Sequence, residues 1–336
     1  MSNMDYKNCI LCPRRCQVDR TAGSFGFCGQ DHRIRAARAA LHFWEEPCIS
    51  GSHGSGAVFF SGCNLKCVFC QNEQIAKGDV GKVISPERLT EIFFELKEQG
   101  ANNINLVTAG HFLPGVIDAI ERAKDEGFDL DFVYNTSGYE EVDSIRALEG
   151  LIDIYLPDLK YVSSDLSRKY SHAGDYFEKA SAAIAEMVRQ TGEPGFSIKK
   201  QHEMTMAYSL WEKEASHLID SVEYNQICDD PDLEIYMRRG TIVRHLILPG
   251  QTEDSKAVIR YLYETYGDEI YISIMNQFTP LFNVADYPEL NRKVTAKEYD
   301  EVLDFAISLG VENAFLQEGD VALESFIPDF NYEGID

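Results

Sequence analysis

Ser61 to Asn72 reads S-G-C-N-L-K-C-V-F-C-Q-N and sets three thiols, Cys63, Cys67 and Cys70, at the spacing C-x3-C-x2-C. A short loop folded over itself can point three thiolates at one cubic cluster, one per iron corner. A [4Fe–4S] cluster ordinarily takes four Cys ligands, so a trio leaves one iron open to another ligand. Structural zinc usually has four ligands, commonly as two C-x2-C knuckles far apart, and this loop offers three. Thiols kept only for packing are rarely so dense.

A second group precedes it. Cys9, Cys12, Cys16 and Cys28 follow C-x2-C-x3-C-x11-C within C-I-L-C-P-R-R-C and the glycine-rich stretch after it. Four thiolates satisfy either tetrahedral zinc or a closed iron–sulfur cluster, and both stay open at this point. With every position filled by protein, the expected role is structural or electron-transferring. Between the groups, H-F-W-E-E-P-C carries His42, Glu45, Glu46 and Cys48. His42 reads as a hydrogen-bonded structural histidine and Cys48 as a small buried residue.

These groups need a scaffold, and 336 residues with 44% hydrophobic content supply ample core. No apolar run approaches the roughly 18 residues that span a bilayer. The N-terminus is polar and not signal-like, so the expected location is the cytoplasm. Seven of nine cysteines sit in two tight groups, which in a reducing compartment points to metal and not to disulfides. The formal charge of −24 repels phosphate backbones and anionic membranes, so neither is an expected partner.

From Ala57 a regular alternation begins. Strands are expected at 57–60, 105–108, 132–135, 152–156, 242–248, 270–275 and, briefly, 314–316. Helices are expected at 85–99, 113–126, 142–148, 176–190, 255–266 and 296–309. Ser85-Pro86-Glu87 opens the first helix with an N-cap, a proline and an acid, and Gly100 stops it. Six β-then-α units imply parallel strands with right-handed crossovers, as an open doubly wound sheet or a (β/α) barrel. In both, function gathers at the C-terminal strand ends. There the chain places the cysteine loop, T-A-G-H, N-T-S-G, P-D-L-K, P-G and N-Q-F-T-P.

With these stretches, together with Y-N-T-S-G-Y-E, D-I-Y-L-P-D-L-K-Y and I-V-R-H-L-I-L-P-G, the chain resembles a radical S-adenosylmethionine (SAM) enzyme. It is similar to the pyruvate formate-lyase activating enzyme-like group, in a branch with an N-terminal C-x2-C-P-R-x-C. The resemblance runs from Cys9 to about Gln317. It implies an α/β fold, a partial (β/α)6 TIM-like barrel with an N-terminal Cys-rich extension. It also implies that SAM chelates the open iron, that one electron releases methionine and a 5′-deoxyadenosyl radical, and that the radical takes hydrogen from a substrate.

The resemblance assigns roles to particular residues. Cys63, Cys67 and Cys70 take the cluster-ligand role, and Phe69 matches the aromatic near the adenine. Thr108-Ala109-Gly110-His111 stands where the family has Gly-Gly-Glu against the SAM amino group. No acid is present there, and Thr108 is the candidate. Asn135, Thr136 and Ser137 match the segment near the ribose. Asp158 and Lys160 match D-x-K, with Lys160 pairing the SAM carboxylate and Arg244 assisting. His111 reads as a proton donor or a core histidine, and His245 as a core histidine.

The expected layout is a metal-binding extension and linker over 1–56, a barrel over 57–317 and a tail over 318–336. A long segment at 192–239 interrupts the barrel. It includes the amphipathic piece 206–219, Cys228 and Asp229-Asp230, and reads as a flank cover or as a lid or docking element. Expected partners are a low-potential flavodoxin- or ferredoxin-type donor and a glycyl-radical protein substrate. The alternatives are a small-molecule or peptide substrate, or a non-catalytic iron–sulfur or zinc protein on a barrel scaffold.

Overall fold

The computed structural model describes residues 5–200, 218–230, 233–281, 284–317 and 328–335. Its strands are β1 (Arg35–His42), β2 (Ser55–Phe60), β3 (Lys82–Val83), β4 (Ile104–Val107), β5 (Phe132–Thr136), β6 (Ile154–Pro157), β7 (Gly195–Lys200), β8 (Leu233–Leu246), β9 (Tyr271–Met275) and β10 (Ala314–Leu316). Its helices are α1 (Pro47–Ser50), α2 (Glu73–Ala76), α3 (Pro86–Glu98), α4 (Leu113–Asp125), α5 (Val142–Arg146), α6 (Ser164–Ser171), α7 (Tyr176–Thr191), α8 (Ser221–Ile227), α9 (Thr252–Tyr266) and α10 (Ala296–Leu309).

One sheet runs β10-β9-β8-β6-β5-β4-β2-β1-β3. Its pairs from β2 through β10 are parallel, and β1 returns antiparallel on β2. The fold is α/β with a mostly parallel, unclosed sheet, as a partial TIM-like barrel requires. Helices cover its outer face because each buries one apolar stripe there. Leu89, Ile92, Phe93 and Leu96 of α3 are buried, as are Val116, Ala119, Ile120 and Ala123 of α4. The Ser85 hydroxyl accepts from the Arg88 amide, and Thr295 with Glu298 closes a capping box on α10.

Residues 34–56 are more than a linker. β1 reads R-A-A-R-A-A-L-H, whose alanines and arginines carry no strand signature. It forms because β2 offers an open edge and because the alanines let the backbones close up, with a register shift between Ala36 and Arg38. The C-terminal residues return to the same edge: Tyr332 donates to the Ala37 carbonyl, and Ala39 donates to the Glu333 carbonyl.

The 192–239 segment is also more specific than a flank cover. The amphipathic piece 206–219 lies almost wholly outside the described residues. What is described forms a hairpin of β7 with the first half of β8, plus α8. Phe196 stacks on Tyr224 at 4.2 Å, and both meet Tyr271. These rings join Cys48, Ile49, Val133, Ile154, Leu156 and Ile242 in one buried cluster. The hairpin therefore plugs the barrel interior at the N-terminal end of the strands, opposite the cysteine loop. Strand β8 changes partners at Gly240, whose φ of +133° would set a Cβ 2.6 Å from Met237 Cε.

Phe93 packs on Phe132 at 5.2 Å and on Phe128 at 6.3 Å, fully buried between helix and sheet. Phe93→Ala is expected to lower stability by about 3–5 kcal/mol through lost contact and a cavity. Urea denaturation of the two proteins checks this; a shift under 1 kcal/mol would mean the packed face relaxes freely.

Candidate functional site

A cavity of about 350 Å³ opens at the C-terminal ends of the strands. Cys63, Cys67, Phe69, Cys70, Thr108, Asn135, Thr136, Ser137, Asp158, Lys160 and Arg244 all line it. Parallel strands put their carboxyl ends on one rim, so motifs spread over more than 180 positions converge.

The cysteine loop follows β2. The Leu65 amide donates to Cys63 Sγ at 3.3 Å, and the Ser171 hydroxyl donates to Cys67 Sγ at 3.0 Å. Burial raises the Cys70 thiol, and Cys63 and Cys67 push it further. Burial carries Cys67 up to about 11, although Lys160 works the other way. Such thiols ionise when a metal takes the proton's place. Among the described residues no three Cys, His, Asp or Glu side chains close around a single ion. The donor set nonetheless fits an iron–sulfur cluster in kind: three soft sulfurs on one loop, already accepting hydrogen bonds, at one cavity wall with a cation beside them.

Lys160 Nζ reaches Asp158 Oδ2 at 2.5 Å. Burial works against its charge, but Asp158 and then Cys67 carry its pKa above the ordinary lysine value. The ammonium is thus permanently charged at the cavity wall. Phe69 meets Tyr161 and Phe278 at 6.5 and 6.2 Å, an apolar flank beside the thiols. Thr108 has φ +61°, a left-handed conformation that is a real outlier for a β-branched residue. Such strain persists where the surroundings over-determine it, often at functional sites. Here the Thr108 amide donates to the Asn135 carbonyl at 2.8 Å, joining two strand ends.

The turn after β1 supplies residues to which the sequence gave no role here. Glu45 and Glu46 enter the barrel and clamp Arg244. Arg244 Nε donates to Glu46 Oε1 at 2.9 Å, and Nη2 donates to both carboxylates. Burial opposes the Arg244 charge, yet the two glutamates raise its pKa well above the usual value. Burial also opposes ionisation of Glu46, and the guanidinium overcomes it, holding that carboxyl low. Asn105 Nδ2 donates to Glu45 Oε1 at 2.8 Å. Arg244 lines the cavity with its Nε and Nη2 already engaged by carboxylates.

His111 and His245 are core histidines. His111 Nε2 contacts the Ser61 carbonyl at 2.7 Å, and His245 Nδ1 contacts the Leu159 carbonyl at 2.8 Å. Burial lowers them to about 3 and about 4, so both are neutral.

The four N-terminal cysteines sit directly behind the cysteine loop. The Arg14 guanidinium donates to the carbonyls of Asn64, Leu65, Ser171 and His172. Arg20, fully buried, donates to the carbonyls of Gln30, Asp31 and His111 and to Cys9 Sγ. A Cβ on Gly26 would lie 3.4 Å from Cys28 Sγ and 3.6 Å from Cys16 Sγ, so those two sulfurs flank one backbone position. A Cβ on Gly62 would lie 2.6 Å from the Cys28 carbonyl, which puts the two cysteine groups in backbone contact.

Glu140 fixes the third strand end. Thr136 Oγ1 donates to Glu140 Oε1 at 2.6 Å, while Oε2 is buried without a hydrogen-bond partner. Burial raises its pKa from 4.5 to about 7, against the two hydroxyls that lower it. Between those pH values the folded protein holds a proton that the unfolded chain has lost, so stability falls as pH rises. This group alone accounts for a loss of roughly 3 kcal/mol across that window. Glu140→Gln is expected to flatten that slope in melts run from pH 4.5 to 7.5. Parallel slopes for the two proteins would reject the assignment.

Several known proteins are similar to this chain. A protein of Methanocaldococcus jannaschii described as uncharacterized is 25% identical over 311 residues, covering 90% of this chain and 75% of its own. Among solved structures, SuiB of Streptococcus suis aligns at TM-score 0.44 and 10% identity over 79% of this chain. Methylornithine synthase aligns at TM-score 0.46 and 11% identity over 76% of this chain. The chain spans 48% of SuiB and 60% of methylornithine synthase. No helix among the described residues is long and apolar enough to cross a membrane. Residues 57–197, with the cysteine loop near their start, match the family model described as the Radical SAM superfamily.

Proposed function

We propose that this protein binds SAM in the strand-end cavity and uses it to abstract hydrogen from a substrate. The observation that carries the reading is the meeting of Cys63, Cys67 and Cys70 with Lys160, Thr108 and Asn135 around one cavity. When bound, a [4Fe–4S] cluster on the three thiolates supplies the single electron that splits the sulfonium into methionine and a 5′-deoxyadenosyl radical. The protein's own share is binding, orientation and exclusion of water.

Lys160 offers a desolvated positive charge for the methionine carboxylate, a charge-assisted contact. Asp158 keeps that ammonium in place. Thr108 stands where the amino group needs an acceptor. Phe69 gives a flat apolar surface for the adenine, and Asn135, Thr136 and Ser137 present hydrogen-bonding groups for the ribose. Arg244 acts in this reading through its clamp on Glu45 and Glu46, which shapes the cavity floor. The nine free thiols suit the cytoplasm.

Hydrogen abstraction from a backbone glycine of a partner enzyme, the activating-enzyme version, rests on the resemblance of the strand-end stretches to that group, and a small molecule or peptide is the alternative substrate. The four N-terminal cysteines are proposed as a second metal site, zinc or iron–sulfur, in contact with the loop.

Anaerobic reconstitution followed by reduction and assay for 5′-deoxyadenosine tests the reading. The wild type is expected to form it, and a loaded, reduced cluster that yields none would overturn the proposal. Cys67→Ala should abolish product. Lys160→Met should keep the iron content and weaken SAM binding about 10- to 100-fold, as loss of a buried charge-assisted bond predicts. Unchanged SAM affinity in that variant would remove Lys160 from the site.

A further inference from the structure

The three sulfurs of the cysteine loop do not share one kind of partner. Cys63 Sγ accepts from the Leu65 amide at 3.3 Å, and Cys70 accepts from the Asn72 backbone. Both donors are backbone groups of the loop itself. Cys67 takes its donor from a side chain 104 positions later, the Ser171 hydroxyl, at 3.0 Å. That hydroxyl in turn lies 2.9 Å from the Tyr161 hydroxyl. Ser171 and Tyr161 are 0% and 1% exposed, and both stand outside the cavity lining. The binding of SAM proposed above gives neither of them a task.

The end of α6 is built to hold this hydroxyl still. Ser171 is the last residue of the helix, and His172 caps it in the left-handed conformation at φ +54°. A helix C-terminus ordinarily turns partial negative charge toward whatever it faces. Here the carbonyls of Tyr170, Ser171 and His172 are engaged. The Val68 amide of the loop donates to Tyr170 at 2.8 Å, and Arg14 donates to Ser171 at 3.1 Å and to His172 at 2.6 Å. What the helix end offers Cys67 is therefore a donor. Tyr161 is held as well, its ring 5.5 Å from Tyr176 and 6.5 Å from Phe69. A metal-bound sulfur carries no proton and can only accept. The Ser171 proton then points at Cys67, which leaves the Ser171 oxygen to accept from Tyr161. The chain has one direction, Tyr161 to Ser171 to Cys67, and each bond polarises the next.

We infer that Ser171, backed by Tyr161, is a positioning residue for the iron–sulfur centre: it steadies Cys67 and eases one-electron reduction of a cluster held there. The inference rests on the proposed function in one respect, that a cluster sits on Cys63, Cys67 and Cys70. Reduction adds one negative charge, shared between the irons and their sulfurs. A donor aimed at a ligand sulfur stabilises the more negative state, and hydrogen bonds to the sulfurs are among the levers that set such potentials. Burial of both hydroxyls keeps water from screening the contact, so its electrostatic effect is felt in full. Because backbone amides serve Cys63 and Cys70, the contact to Cys67 is also the one that a side-chain substitution can remove.

The test is an anaerobic redox titration of the reconstituted full chain, without SAM, against titanium(III) citrate. Each Ti(III) gives one electron to one cluster and becomes Ti(IV), and the reduced fraction is read from its electron paramagnetic resonance signal. Cys67→Ala serves as the blank for any signal from the N-terminal cysteines. In Ser171→Ala the equilibrium constant for reduction is expected to fall about tenfold, as loss of a charge-assisted hydrogen bond predicts. For one electron that is a shift of about 59 mV to lower potential. Tyr161→Phe keeps Ser171 and removes only the group behind it, and should shift the equilibrium the same way by about twofold. Variants that load iron like the wild type and melt earlier, yet share its potential, overturn the inference, since a merely structural pair would behave so. If Ser171→Ala takes up less iron, Tyr161→Phe decides, and an unshifted potential there overturns the inference too. A wild type that holds no reducible cluster on the loop sinks the functional reading, and this inference with it.

Discussion

The barrel interior is organised around one guanidinium. Arg244 projects from the fifth barrel strand into the middle of the sheet and is clamped by Glu45 and Glu46, residues almost 200 positions earlier. Three charges buried together are costly to desolvate, and removing Arg244 would leave two carboxylates uncompensated, a loss typically worth about 3–5 kcal/mol. The cluster therefore specifies more than it stabilises. It holds the turn after β1 inside the barrel, and with it the N-terminal extension. It also divides the interior, with apolar rings of the hairpin plug on one side and the polar cavity on the other.

The extension is thereby fastened at two levels. Arg20 and Arg14 grip backbone carbonyls of the barrel and of the cysteine loop, while Glu45 and Glu46 reach through to Arg244. The shape of the cysteine loop is consequently set from both sides. From within, Ser171 and Leu65 donate to its sulfurs; from behind, Cys28 and Gly62 press together too closely for any side chain. A Gly at 62 is a steric requirement there, where φ is +86° as well.

The sequence made the site legible because its chemistry is local. Cys63, Cys67 and Cys70 lie within one loop, and each further cavity residue belongs to a short polar stretch after an apolar strand. Parallel topology then carries those stretches to one rim without any further information. What escaped was non-local or conformational. Glu45 and Glu46 were visible as acids, but nothing in the order of residues names Arg244 as their partner. The strand at 35–42 escaped because alanine and arginine signal nothing, its conformation being imposed by the neighbouring edge. The hairpin plug escaped because β8 changes partners at Gly240 within one continuous strand, a switch that no local motif announces. Glu140 stood in a noticed motif, yet its part is played through the hydroxyl of Thr136.

Thr108 draws these threads to a single backbone angle. A threonine twisted to φ +61° carries a conformational debt that glycine or asparagine at the same place would largely cancel. The fold tolerates that cost because the neighbouring strand ends leave the peptide nowhere else to go. Position 108 is accordingly where, on the proposed role of its hydroxyl, directed evolution for robustness and selection for turnover should part company: the former drifts toward residues at ease in that geometry, the latter retains the hydroxyl.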